Sequence, residues 1–279
     1  MEERKLTAGH LISFREYLIR EEKSPATIEK YLRDTKRFLE FAADREITKE
    51  VAVAYKNELQ QKHYAVRSIN SMLASVNCLM EFLGRTDCKV KALRTQRQIY
   101  CTEKKELHKA EYLRLLEASQ KNERLNLLLQ TICGTGIRVS ELRYFTVEGV
   151  SRGEITVQCK SKTRTILVPG KLRRMLLHYA KRRGIQNGAI FRTKNGKPLD
   201  RSNIWAQMKR LCLAAKVNPS KVFPHNLRKL FARTFYGIER DIAKLADILG
   251  HSSIDTTRIY IMTTGTEHRR KIERLGLVI

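Results

Sequence analysis

One stretch constrains this chain more than any other: residues 223–260, FPHNLRKLFARTFYGIERDIAKLADILGHSSIDTTRIY. Positions three apart on a helix share a face, so His225 and Arg228 project together. Leu227, Phe231 and Phe235 recur every fourth residue on a different face, which suits burial. A second helix is predicted from Ile242, Leu245, Ala246 and Leu249. Gly250 then stands where a helix end favours glycine, so His251 falls just outside that end. Ser252 or Ser253 can cap a further short helix that carries Tyr260. Two imidazoles, one permanent cation and a phenol are thus held on short rigid elements.

These residues carry a resemblance. HNLRKLFA resembles the His-x-x-Arg box of the tyrosine recombinase (phage integrase) family. LGHSSIDTTRIYI resembles its Leu-Gly-His…Tyr box, which ends in the nucleophile, and TGIRVSEL at 135–142 resembles its upstream arginine box, giving Arg138. Taken singly, Tyr260 reads as packing, the histidines as helix-end hydrogen-bonders and the arginines as ion-pair partners. Three boxes in the family's order and spacing override those readings. The resemblance runs over roughly residues 7–276 and is to the type without an N-terminal arm-binding domain.

Charge agrees with a polyanionic partner. The chain has 55 Lys+Arg against 29 Asp+Glu, a formal +26, and each neutralised phosphate releases condensed counterions. Double-stranded DNA is the expected partner and a membrane is not, since no basic amphipathic anchor appears. A basic ribosome-associated protein is the blander reading of the same charge. Six cysteines (78, 88, 101, 133, 159 and 212) show neither a C-x-x-C pair nor metal-ligand spacing. With no signal peptide or membrane-length apolar run, a cytoplasmic, nucleoid-associated protein in a reducing compartment is expected.

The expected fold is mainly α: an N-terminal four-helix bundle and a C-terminal mixed α+β domain with a small β-sheet. The first helix covers 7–22, and Ser24-Pro25 opens a second as N-cap and N1 proline. Lys30, Arg33 and Arg37 form a basic stripe along it, suited either to solvent or to phosphates. Helices at 49–61 and 66–83 complete the bundle, with Arg67 and Asn70 polar near the start of the last. It resembles the family's core-binding (SAM-like) domain, placed at 1–97. Residues 84–106 lack a clear apolar face and read as basic interdomain linker, with the boundary at 98–106. The second domain, 107–279, opens with helices near 108–119 and 122–134. It continues through a helix from Arg138, strands at 154–159 and 165–169, and helices near 171–183 and 200–215. The hairpin tip KSKTR carries Lys160, Lys162 and Arg164. A two-domain C-shaped clamp around DNA is the expected arrangement.

The resemblance implies the chemistry. Arg138 and Arg228 clamp the scissile phosphate, because guanidinium groups match two phosphate oxygens and stay charged. Tyr260 attacks, leaving a 3′-phosphotyrosyl link and a free 5′-hydroxyl, while His225 accepts the phenolic proton and His251 donates to the phosphate. A hairpin lysine protonates the leaving oxygen. Lys160 fits when counted from the first strand, and Lys162 when counted back from Val168-Pro169 with a one-residue offset. Lys30, Arg33, Arg37, Arg67, Asn70, Lys162 and Arg164 are expected to contact DNA. No cofactor is expected, since two arginines can do what metal ions do elsewhere. The activity implied is site-specific DNA recombination or integration, with chromosome-dimer resolution, phage integration and the movement of a mobile element all open. The alternatives are a non-catalytic accessory protein of the same fold and a relaxing topoisomerase. A free monomer is expected to become a homotetramer on paired sites, with the tail after Tyr260 docking on a neighbour or on its own domain.

Overall fold

The computed structural model describes residues 8–43, 45–95, 106–159, 162–193, 195–262 and 265–277. The chain divides into two compact units, Met1–Arg97 and Gln98–Ile279.

The first unit is a bundle of α1 (Ala8–Arg20), α2 (Pro25–Ala42), α3 (Lys49–Gln61) and α4 (Val66–Phe82). Ser24 caps α2 as N-cap, its side chain accepting from the Thr27 amide, with Pro25 in the first helical turn. Phe14, Leu18, Phe38, Tyr55, Leu59, Leu73, Val76 and Leu79 form a continuous core. Residues 84–93 belong to this unit and are not linker, which corrects the sequence expectation. Cys88 and Val90 are buried in the bundle core. Asn70 holds Leu93 through both backbone groups, at 2.9 and 2.8 Å, and Asn77 holds Val90 likewise, at 2.9 Å each. Seven helical residues rise about 10.5 Å, and three extended residues span about 10 Å. The two asparagines therefore grip the same chain in register. Lys56 adds a bond to the Lys91 carbonyl at 3.0 Å, and Lys49 bonds that of Lys89.

The second unit contains α5 (Lys109–Ala118), α6 (Glu123–Thr135), a 3-10 turn (Val139–Tyr144) and α7 (Val147–Arg152). An antiparallel hairpin follows, β1 (Glu154–Cys159) and β2 (Lys162–Leu167). Then come α8 (Gly170–Arg182), α9 (Arg201–Ala214), α10 (Pro224–Glu239), α11 (Ile242–Leu249), α12 (Ile254–Ile261) and α13 (Gly265–Glu273). Its core joins Leu128, Ile132, Phe145, Val157, Leu176, Phe191, Met208 and Leu227. No helix among the described residues is long and apolar enough to cross a membrane.

The hairpin differs from the sequence expectation. Strand β2 starts at Lys162, not Thr165, and Cys159 pairs with Lys162. Polar Lys-Thr-Arg looked like a turn, but Ile155 pairs with Ile166 and Val157 with Arg164. Because side chains alternate along a strand, that register puts Arg164 on the same buried face as Ile166.

Candidate active site

The end of α11 is the site's frame. Its last amide bonds are closed by Gly250 N to Asp247 O and His251 N to Ala246 O. Gly250 has φ +63°, and a Cβ there would lie 2.6 Å from Arg164 Cδ, so both backbone hand and space require glycine. The three next carbonyls would be left without helical partners. A different arginine takes each. Arg164 Nη1 donates to Ile248 O, Arg228 Nη2 to Leu249 O at 2.6 Å, and Arg138 Nη2 to Gly250 O at 3.2 Å. Negative helix-end carbonyls attract cations, and a buried carboxylate offsets part of this pile-up of charge. Glu141 accepts from the Arg138 amide at 2.7 Å, Arg138 Nη1 at 3.1 Å and Arg164 Nη2 at 2.6 Å.

Arg228 is 1% exposed. It also reaches Gly136 O at 2.5 Å and His251 Nε2 at 3.0 Å. Burial first, and then neighbouring Arg138, lower its pKa to about 10, so it stays charged at neutral pH. Gly136, at φ +66°, faces Phe231 of α10 so closely that a Cβ would lie 2.4 Å from its ring. The turn before Arg138 and the helix bearing Arg228 are thereby fitted to one another.

The imidazoles flank the tyrosine. Ring centroids of His225 and His251 each lie 4.9 Å from that of Tyr260. Tyr260 is 7% exposed, its Oη lies 3.4 Å from His225 Nδ1, and the Arg228 guanidinium sits 5.8 Å from its ring centre. An arginine can only donate, so His251 Nε2 accepts from Arg228. The ring proton then sits on Nδ1 and is donated to Thr257 Oγ1, 2.9 Å away. Thr257 precedes Tyr260 by three residues on α12 and is fully buried beside it. Desolvation, then Arg228, push the His251 pKa down to about 4, and the same two causes lower that of His225. Both histidines are therefore neutral at pH 7, as a proton acceptor requires. A cleft of about 870 Å³ opens beside this cluster, lined by Arg138, Arg143, Arg201, Trp205, His225 and Arg228 among others.

The structure thus brings together Arg138, His225, Arg228, His251 and Tyr260. Lys160 lies outside the described residues, and Lys162 is described only as the backbone that begins β2. Arg164 is a correction: it is not a hairpin-tip DNA contact, because its side chain is 13% exposed and bound to Glu141. Two further expectations change in the first unit. Lys30 turns inward to buried Asp34 at 2.9 Å, Ser71 O at 2.6 Å and Ser75 Oγ at 2.9 Å. Asn70 is committed to Leu93. Arg33, Arg37 and Arg67 are exposed. Glu141 and Thr257 were missed, although each stands three residues from a site residue within a recognised box.

Fold and cluster define an enzyme of the tyrosine recombinase class. The chain belongs to the phage integrase family: the domain described as "Phage integrase family" matches residues 105–266, and "Phage integrase, N-terminal SAM-like domain" matches 11–87. It is 32% identical to the tyrosine recombinase XerA of Pyrococcus furiosus, over 100% of this chain and 98% of that protein. The crystal structure of XerA recombinase aligns with 98% of this chain and 100% of the other, at 26% identity and a TM-score of 0.54. A lambda integrase dimer bound to a core site shares the fold, with a TM-score of 0.71 at 18% identity, covering 93% of this chain and 96% of the other.

Proposed function

We propose that this protein is a site-specific DNA recombinase that cuts and rejoins strands through Tyr260. The observation that carries the reading is the convergence of two neutral histidines and Arg228 on one buried phenol, with Arg138 held on the Gly250 carbonyl and lining the same cleft as His225 and Arg228. Arg138 and Arg228 hold the two non-bridging oxygens of the scissile phosphate. Tyr260 Oη attacks phosphorus and passes its proton to His225 Nδ1. The Tyr–O–P bond forms, the P–O5′ bond breaks, and the leaving 5′-oxygen takes a proton from a hairpin lysine, Lys160 or Lys162. The phosphotyrosyl bond conserves the energy of the broken linkage, so a 5′-hydroxyl of another strand reverses the step without ATP. Burial first, and then the arginine charges, keep His251 neutral; an incoming phosphate anion opposes the arginine part, and the protonated ring then donates to it from Nε2. Arg33, Arg37 and Arg67 supply backbone contacts from the first unit, the sequence-independent part of affinity.

Strand exchange between two duplexes needs four cuts, hence four copies of Tyr260 in a homotetramer on paired sites. The tail supports such assembly. Ile272, Leu275 and Leu277 are exposed, and a helix this short is marginal in water without a surface to dock on. An apolar groove of about 270 Å³ between α5, α6 and α10, lined by Tyr112, Leu113, Phe231, Phe235 and Ile238, is the surface assigned to a neighbouring copy's tail. A lambda integrase tetramer bound to a Holliday junction has the same fold.

The test begins by selecting a binding duplex from a random-sequence library with the full-length protein. A nick near the cleavage point then makes a suicide substrate. Wild type should form a covalent adduct, and Tyr260→Phe should form none while binding normally. An adduct that persists in Tyr260→Phe refutes the assignment. Recombinant product from two sites separates recombination from simple relaxation, and an intact chain that binds but never forms adduct would be an accessory protein.

A further inference from the structure

The three arginines on the end of α11 do not have equivalent surroundings. Arg138 is the most open, its side chain 38% exposed, and Arg228 lies against Tyr260. Arg164 comes from β2 and has neither feature. Its fork spans two elements instead, with Nη2 on Glu141 of the 3-10 turn and Nη1 on Ile248 O of α11. Those two anchors adjoin the contacts that orient Arg138. Glu141 is the carboxylate that Arg138 Nη1 uses, and Gly250 O, two residues beyond Ile248, is the carbonyl that Arg138 Nη2 uses. The Arg164 stem also packs on Gly250 itself, immediately before His251. One guanidinium therefore fixes both supports of Arg138 and the backbone that launches His251. Lysine could reach either anchor but not both, because only the planar fork donates in two set directions.

The geometry points to Arg164 as a positioning residue for strand cleavage, acting through Glu141 and the last turn of α11 to aim the Arg138 guanidinium at the scissile phosphate. It rests on the reading of Arg138 as a phosphate clamp. Arg164 touches no reacting atom. Without it, Glu141 is held from one side only and Gly250 loses the side chain packed against it, so Arg138 swings within a wider cone. Binding to DNA, which draws on many phosphate contacts, should barely change. The cost should fall on the chemical step.

The experiment uses the full chain and two versions of the selected, nicked duplex. One carries the natural scissile phosphate. The other carries a methylphosphonate there, in which a methyl replaces one charged oxygen, so a clamping cation matters less. At saturating duplex, Arg164→Ala should cleave the phosphate about 10- to 100-fold more slowly than wild type, the usual cost of losing a group that orients a functional side chain. On the methylphosphonate that gap should largely close. Arg138→Ala is the control and should show the same closing. If it does not, the clamp reading fails, and this proposal with it. If Arg138→Ala closes the gap while Arg164→Ala is equally slow on both substrates, the proposal alone is overturned. Wild-type cleavage of the phosphate by Arg164→Ala also overturns it. Should Arg164→Ala fail to fold, Arg164→Lys keeps the charge and loses one anchor, and the same pair of substrates decides.

Discussion

Glu141→Gln is the most informative single perturbation of the free protein. The side chain is 2% exposed and its two oxygens take three hydrogen bonds, two of them from guanidinium groups. Glutamine keeps the shape but removes the charge, and it turns one oxygen into an NH₂ that faces a donor. Bonds to charged groups contribute about 1.5–3 kcal/mol each. Breaking one side of a buried ion pair costs about 3–5 kcal/mol, because the other charge stays buried and unmatched. Here two cations remain, Arg138 partly open to water and Arg164 largely closed, so the lower half of that range is expected: about 3–4 kcal/mol. For a domain of this size each kcal/mol moves the midpoint by about 2–4 °C. Melting of the second unit, followed by scanning calorimetry, should therefore fall by about 6–16 °C. The deficit should then shrink on the selected duplex, because a phosphate anion between the arginines substitutes for the missing carboxylate. A variant that melts within about 2 °C of wild type, or whose deficit is unchanged by duplex, would refute the charge-balance reasoning.

The remaining expectations concern other parts of the chain. His251 has a folded pKa of about 4 against about 6.5 unfolded, so the unfolded chain binds its proton first. Its contribution to stability is complete above about pH 6.5 and drains away as pH falls toward 4. The melting temperature of His251→Gln should accordingly drop less between pH 7 and pH 5 than that of wild type, and equal drops would count against a neutral His251. Asn77→Ala removes both bonds to Val90 and should destabilise the first unit by about 1–3 kcal/mol, with faster proteolysis near residue 90; an unchanged cleavage rate would show that the segment is held by other means. Deleting residues 266–279 should preserve binding to one site while reducing cooperative pairing and recombinant product, and full-rate recombination by the truncated chain would remove the tail as connector. Gly250→Ala combines a disfavoured backbone hand with a clash against Arg164. It should depress adduct formation more than Gly196→Ala, whose Cβ meets nothing.

What the sequence made legible was whatever depends on local spacing. Ser24-Pro25 announced the start of α2, Gly250 the end of α11, and the three boxes the residues that meet at Tyr260. What stayed hidden depends on which polar side chain finds a partner far along the chain. Asn70 and Asn77 look like solvent-facing positions until a second strand of backbone lies beside them at the matching pitch. Lys30 belongs to a basic stripe only while Asp34, the Ser71 carbonyl and the Ser75 hydroxyl are out of view. Arg164 was assigned to a turn because Lys-Thr-Arg is polar, yet a period of two fixed by Ile155 and Ile166 turns it inward. A buried charge violates the hydrophobic pattern, so pattern reading is blind to it by construction.

That blindness falls where the chemistry is, and for a physical reason. A site that holds a phosphate with arginines must keep several like charges close together before the phosphate arrives. Solvent would screen them, but a dry site is what makes their field effective on a transition state. The chain resolves the conflict with groups that every protein has, the unpaired carbonyls at a helix end. Ile248, Leu249 and Gly250 give three acceptors in succession, each aimed by the rigid last turn of α11, and Glu141 supplies a full negative charge to Arg138 and Arg164. None of these carbonyls can be recognised from side-chain identity, because the backbone is the same at every position. The glycine that ends the helix is the visible trace of the device, since it lets the chain turn and leaves room for the Arg164 stem. Tyr260, the proposed nucleophile, is carried by the next helix along, so the same turn that gathers the cations also sets its phenol beside Arg228.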